Sequence, residues 1–236
     1  MIKIKNGLLK PDKEAGDYIS SVFSLFSSDT PVLFLSSGGS ALSILEYVDI
    51  SSLPKNLTVG VLDERVTQNS EESNFSKLVG TRFFKDALKK GIKSIDTRTK
   101  KNETREQLSE RFENSIREWI RNYPNGEVVV TMGMGEDGHT AGIFPTKTKK
   151  DFNILFPENR LVVSLDVGDK SEFSKRATVT PLFLKTIPTY TIAYVVGDKK
   201  SKALKIALNE NIEHKSPASI INIMLDVIIF TDINIS

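Results

Sequence analysis

The chain contains no cysteine, so it can form no disulfide, no thiolate metal site and no thiol nucleophile, and a reducing compartment suits it. It has only two histidines, one tryptophan and a formal net charge of +2 over 236 residues. Its lysines and arginines are spread among the acids instead of massed on one face, so the electrostatic footprint of a nucleic-acid binder is missing. A local basic pocket for a small anion stays compatible with this balance. No apolar run approaches the roughly 18 residues that cross a bilayer, and MIKIKNGLLKPDKEAGDY lacks the apolar segment of a secretory leader. The expectation is a cytoplasmic protein with neither a membrane nor a nucleic-acid partner.

Apolar residues make up 39% of the chain and charged residues 26%, with neither concentrated in one region. That balance describes an ordinary globular chain with a substantial core, and one domain over residues 1–236 is expected. Helical spacing of Ala15, Ile19, Val22, Phe23 and Phe26 predicts a capped helix over 12–28, and Leu108, Phe112, Ile116 and Trp119 predict another over 103–122. PVLFLSSGGSALSILEYV reads as strand, glycine turn and helix, and YTIAYVVGDKKSKALKIAL repeats that order. LTVGVLDER, EVVVTM, LVVSLDV, KRATV and LDVIIFTD read as strands, Pro181 opens a short helix, and SPASIINIM reads as a capped helix. The segment around Phe152 to Phe156 carries no decisive pattern. Strands alternating with helices predict an α/β fold of three layers around a mostly parallel sheet of roughly six strands.

Four stretches carry chemistry. GMGEDGHTAGIFP, Gly133 to Pro145, gathers four glycines, two carboxylates and His139 directly after a buried strand, where open α/β sheets place their ligands. It is expected to be a polar loop that then starts a helix. In SSGGS, Gly38, Gly39 and Ser40 let backbone amides approach a phosphate, although such turns are more often purely structural. Asp63, Glu64 and Arg65 end LTVGVLDER; taken alone they describe a solvated strand end with a local ion pair. Lys200 sits near a helix start, an unfavourable place for a cation unless an anion joins it.

Taken together, SSGGS at 36–40, LDERV at 62–66, SN at 73–74, GMGEDGHTAGIFP at 133–145, RATVTP at 176–181 and GDKKSKAL at 197–204 resemble the 6-phosphogluconolactonases in order and spacing. The resemblance covers nearly the whole chain, and its central block is the specific one. It implies a Rossmann-like fold shared with glucosamine-6-phosphate deaminases and hydrolysis of 6-phosphogluconolactone in the pentose phosphate pathway. It also implies His139 as the catalytic histidine with Asp137 in the same loop, Asp63 and Arg65 in the DER block, and Arg176, Lys200 and the Gly38–Ser40 turn around the substrate phosphate. The sequence departs from the family in reading SSGGSALS for SGGSTP, which removes a hydroxyl and a helix-opening proline, and AGIFP for ASLFP, which places Gly142 where a small polar residue is usual.

The residue types suit the chemistry. A lactone is an activated ester whose hydrolysis needs a base for water and a donor for the developing oxyanion, but no metal, cofactor or covalent nucleophile. A neutral imidazole suits the base. His139 is thus expected to activate water, Asp137 to orient it, Arg65 to orient substrate or stabilise the oxyanion, and Asp63 to bind sugar hydroxyls or shape the pocket. The expected partner is a small phosphosugar lactone, and the expected assembly a monomer or small homo-oligomer. Two other readings share the fold: a glucosamine-6-phosphate deaminase, whose histidine is followed by a pattern resembling IAFNEP with a functional glutamate, and a non-catalytic sugar-phosphate-binding protein. TAGIFP has no acid at that place, which favours the lactonase.

Overall fold

Runs of valine, isoleucine and leucine bounded by polar turns fold as strands, and the capped amphipathic stretches fold as helices. In the computed structural model, which describes residues 2–235, the first half of the chain contains β1 (Lys3–Lys5), α1 (Pro11–Leu25), β2 (Pro31–Ser36), a 3₁₀ helix (Gly39–Tyr47), β3 (Asn56–Val61), β4 (Asp63–Arg65), α2 (Asn74–Gly80), α3 (Arg82–Lys89), β5 (Lys93–Ser94) and α4 (Arg105–Asn122). The second half contains β6 (Glu127–Gly133), α5 (Lys149–Leu155), β7 (Val162–Asp166), β8 (Lys175–Val179), α6 (Pro181–Thr186), β9 (Tyr190–Val195), α7 (Ser201–Asn209), a 3₁₀ helix (Pro217–Asn222) and β10 (Val227–Thr231).

Seven strands form a parallel sheet in the order β1-β10-β9-β6-β2-β3-β5. Successive side chains of a strand point to opposite faces, and here both faces are apolar. Leu33, Leu35, Val128 and Val130 join a core with Phe112 and Trp119 of α4 and Leu204 of α7. Val32, Phe34 and Val129 join a second core with Ile19 and Phe23 of α1, Phe75 of α2 and Phe83 of α3. The result is the expected three-layer α/β arrangement, and Trp119 is a core residue whose Nε1 donates to Thr58 Oγ1 at 3.2 Å.

Several sequence expectations are corrected. LTVGVLDER is not one strand: β3 ends at Val61, and β4 turns away into a separate three-stranded antiparallel sheet, β4-β8-β7. The helix after the glycine turn is 3₁₀. Its buried Ala41 and Ile44 lie three residues apart, and Ser43 Oγ takes the Ser40 carbonyl at 2.9 Å, a side-chain bond that competes with the α-helical ladder. The loop after β6 does not run into a helix but folds back on itself, and α5 begins only at Lys149. SPASIINIM is also 3₁₀ and has no side-chain cap. α1 starts at Pro11, again without a side-chain cap, and the fixed φ of the proline suits the first helical position.

Candidate active site

β2 and β6 are neighbours in the middle of the sheet, and the chain leaves them in opposite directions. β2 leads to β3 and β5 on one side, while β6 leads to β9 and β10 on the other. The crevice beyond such a switch point is where open α/β sheets take ligands. The glycine turn leaves β2 and the GMGEDGH loop leaves β6, so the two motifs meet there. Ser37 joins them: its N–H donates to Thr131 Oγ1 at 3.0 Å, and its Oγ accepts from the Gly133 N–H at 3.3 Å.

A cleft of about 360 Å³ opens at this point, lined by Gly38, Gly39, Ser40, Asp63, Arg65, His139, Arg176 and Lys200. Asp137, the remaining residue expected in the site, sits behind His139. His139 Nδ1 lies 2.6 Å from Asp137 Oδ1, which also accepts the His139 N–H at 3.1 Å. A carboxylate can only accept, so Nδ1 carries a hydrogen, and in the neutral ring the lone pair is then on Nε2. Burial pushes the Asp137 carboxyl up, but the His139 ring and N–H outweigh it and hold the group below its ordinary value. The loop is shaped for this pair. Gly135 N–H donates to the His139 carbonyl at 2.8 Å, and a Cβ on Gly135 would lie 2.1 Å from His139 Nδ1, so only glycine fits under the ring. Phe144 stacks on the other side, with ring centroids 4.5 Å apart at 21°. Gly142 replaces the family's small polar residue where φ is +70° and an added Cβ would press on the Asp63 side chain at 3.0 Å.

The charged residues come from the small sheet. Asp63 and Arg65 are two apart on β4 and share a face, and Arg176 lies directly across from Arg65 on β8. Arg176 Nη1 donates to Asp63 Oδ2 at 2.8 Å with both side chains buried, and Nη2 donates to Ser171 Oγ at 2.8 Å. Arg65 Nη1 donates to the Glu72 carbonyl at 3.0 Å, and its guanidinium lies over Phe173, 4.1 Å from the ring centroid. Among the described residues the Nε atoms of both arginines are buried without a hydrogen-bond partner. Burial, and then the charge of Arg176, pull the Arg65 pKa down.

Asp63 and Glu64 are 5% and 0% exposed, so the solvated strand end inferred from the sequence is wrong. Glu64 points to the opposite face and accepts from Arg65 N, Ser73 Oγ, Asn74 N, Phe75 N and Thr97 Oγ1 at 2.7–3.1 Å. It anchors the start of α2. Burial raises its pKa against the pull of those donors. Lys200 stands at the start of α7 with its pKa lowered by burial, which Glu136 and Asp232 oppose. The sequence offers Ser73 or Asn74 as a helix start, which α2 bears out, but assigns no place in the site to Asn74, Ser171 or Glu136. Asn74 lies in a block that was noticed, whereas nothing in the sequence marks Ser171.

Among the described residues no group of three or more His, Asp or Glu side chains gathers as a metal site, and no helix is long and apolar enough to cross a membrane. A larger cleft of about 730 Å³ lies between α5, α6 and residues 211–214. It includes His214 but none of the expected site residues.

The parallel α/β sheet and its switch-point crevice, with a His–Asp pair beside arginines, a lysine and a glycine turn, place the chain among open α/β proteins that take a ligand at the carboxyl ends of their strands. Residues 16–229 match the family model described as glucosamine-6-phosphate isomerases/6-phosphogluconolactonase. The chain belongs to that family. Solved structures agree on the fold. A 6-phosphogluconolactonase from Thermotoga maritima is 20% identical, with a TM-score of 0.76 over 98% of this chain and 99% of its own. One from Shewanella baltica is 19% identical, with a TM-score of 0.76 over 98% and 96%. One from Trypanosoma brucei is 18% identical, with a TM-score of 0.74 over 98% and 96%. No curated protein matches the chain in sequence.

Proposed function

We propose that the chain acts as one domain in the cytoplasm and hydrolyses 6-phospho-D-glucono-1,5-lactone to 6-phosphogluconate, the lactonase branch of its family's chemistry. The observation that carries this choice is the setting of His139. Where the deaminase pattern IAFNEP has its glutamate, TAGIFP has Phe144, and that ring is stacked on the imidazole at 4.5 Å. Ring opening and isomerisation need an acid at that place, whereas hydrolysis of an activated ester needs only one base and an oxyanion donor.

In this scheme Asp137 holds the Nδ1–H tautomer, and His139 Nε2 removes a proton from the attacking water. Arg65 supplies donors to the oxygen that becomes negative at the carbonyl carbon. The ring C–O bond then breaks, and the imidazolium returns the proton to the leaving ring oxygen as it becomes a hydroxyl. Arg176, Lys200 and the amides of Gly38, Gly39 and Ser40 hold the phosphate. They contribute to rate because remote binding energy keeps the carbonyl in the attack geometry. No metal is needed, so turnover is expected to survive dialysis against a chelator.

The test is disappearance of freshly generated lactone with the pure protein, set against the spontaneous rate. Acceleration supports the reading. No acceleration, with ammonia released from glucosamine 6-phosphate, would replace it with the deaminase; neither activity, with phosphosugar binding retained, would leave a binding protein.

A further inference from the structure

Asn74 opens α2 beside the cleft and is pinned from two sides. Its backbone N–H donates to Glu64 Oε1 at 2.7 Å, and its Nδ2 donates to the Asp63 carbonyl at 3.0 Å. The second bond fixes the direction of the amide, because an amide oxygen turned toward a carbonyl would be repelled. The side chain packs against the glycine turn, where a Cβ on Gly38 would lie 2.5 Å from Oδ1. Asn74 is only 2% exposed and lines the cleft, yet its Oδ1 has no hydrogen-bond partner among the described residues.

A buried acceptor left unpaired is costly, and native structures seldom retain one without a use for it. The surrounding groups show what the use is. Arg65, Arg176, Lys200 and the turn amides are donors and suit an anion. An amide oxygen suits the opposite partner, a ligand that gives a hydrogen. A phosphate dianion has none to give, whereas the hydroxyls of a sugar ring do.

We propose that Asn74 Oδ1 accepts a hydrogen bond from a ring hydroxyl of the bound phosphosugar, which makes Asn74 a specificity-determining residue that selects hydroxylated rings. The identity of the ring rests on the lactonase reading; the need for a donor rests on the orphaned oxygen alone. The residue is already held in place by Glu64 and Asp63, so little ordering remains when the ligand arrives.

The experiment compares 6-phosphogluconolactone with its 2-, 3- and 4-deoxy analogues in turnover, and glucose 6-phosphate with the matching deoxy sugars in calorimetric binding. Both series are run on the unmodified protein and on Asn74→Ala. On the unmodified protein, loss of one particular hydroxyl should lower kcat/KM and affinity by about tenfold or more, since a site built to pair with a hydroxyl rejects the analogue lacking it. Asn74→Ala should lose a similar factor on the parent compounds and no longer distinguish that analogue. If every deoxy compound matches its parent within about twofold on the unmodified protein, the inference is overturned, whether or not the variant folds. Undiminished discrimination in a folded Asn74→Ala also overturns it. Discrimination in binding without lactone turnover would keep this inference and overturn the proposed reaction, turnover without discrimination would do the reverse, and absence of both would overturn both.

Discussion

Arg65 and Arg176 face each other directly across the antiparallel pair β4–β8, two like charges where cross-strand neighbours interact most strongly. Asp63 is bonded to Arg176 at 2.8 Å, and its charge, with those of Glu64 and Glu172, also acts on Arg65. Burial and the Arg176 charge outweigh those carboxylates at Arg65, so an anion beside the pair is favoured.

The first prediction follows from that imbalance. Asp63→Asn removes the carboxylate bonded to Arg176, and breaking a buried ion pair typically costs about 3–5 kcal/mol. The variant should show a lower urea midpoint in phosphate-free buffer, and added inorganic phosphate should recover part of the loss. An unchanged midpoint would mean that the two arginines are compensated from elsewhere.

His139→Ala should reduce lactone hydrolysis by about 10²–10⁴-fold, the usual cost of removing a general base, while circular dichroism and the melting temperature stay close to normal. His214, which lines the other cleft, should be dispensable. A comparable loss in His214→Ala would move the base out of the cleft described above and into the other one.

Lys200 is a cleaner probe of the phosphate than Arg176, because Arg176→Ala would also strand the buried Asp63 carboxylate. Lys200→Ala should lower kcat/KM for the phosphorylated lactone by roughly 10–150-fold, equivalent to a charged hydrogen bond of ~1.5–3 kcal/mol. Turnover of unphosphorylated gluconolactone should hardly change. Equal losses on both substrates would assign Lys200 to the fold or to the chemistry.

Acid stability should depend on Glu113, far from the cleft. Its carboxylate accepts Leu161 N–H at 2.9 Å and Arg117 Nη2 at 2.7 Å, and it pairs with Arg160 Nε. Burial pushes its pKa up, but these partners outweigh that and hold it below the ordinary glutamate value. The unfolded chain therefore binds the proton first as pH falls. The stabilisation is complete above the unfolded-state pKa and is lost as pH drops through the folded one. Glu113→Gln should be less stable than the unmodified protein at neutral pH, with the two converging in acid. A gap that persists below the folded pKa would point to packing instead of charge.

The layers and the central loop were legible in the sequence because they depend on local periodicity and on residues close in the chain. His139 and Asp137 are two positions apart, so their pairing follows from one turn. The small sheet was not legible: only Leu62 separates β3 from β4, and the two read as one apolar run with a charged end. Nor was the Asp63–Arg176 bond, which joins residues 113 apart in sequence. The two 3₁₀ helices were read as ordinary helices because their apolar spacing satisfies both. The orphaned oxygen of Asn74 depends on which way an amide turns, and no pattern of residue types encodes that.

The ribbon β4–β8 gives the cleft a discrete character. Asp63, Arg65 and Arg176 share one face, and Glu64 with its partner Ala177 occupies the other. A shift of either strand by one residue exchanges faces. Slippage of β4 would withdraw Asp63 and Arg65 together and turn the Glu64 carboxylate toward the phosphate, while slippage of β8 would trade Arg176 for Ala177 or Lys175 according to its direction. Lengthening or shortening the β7–β8 connection by a single residue is therefore not a gentle adjustment of the binding site. It risks inverting the sign of the surface the ligand meets, so away from Ser171 and Phe173 this connection should tolerate changes of residue better than changes of length.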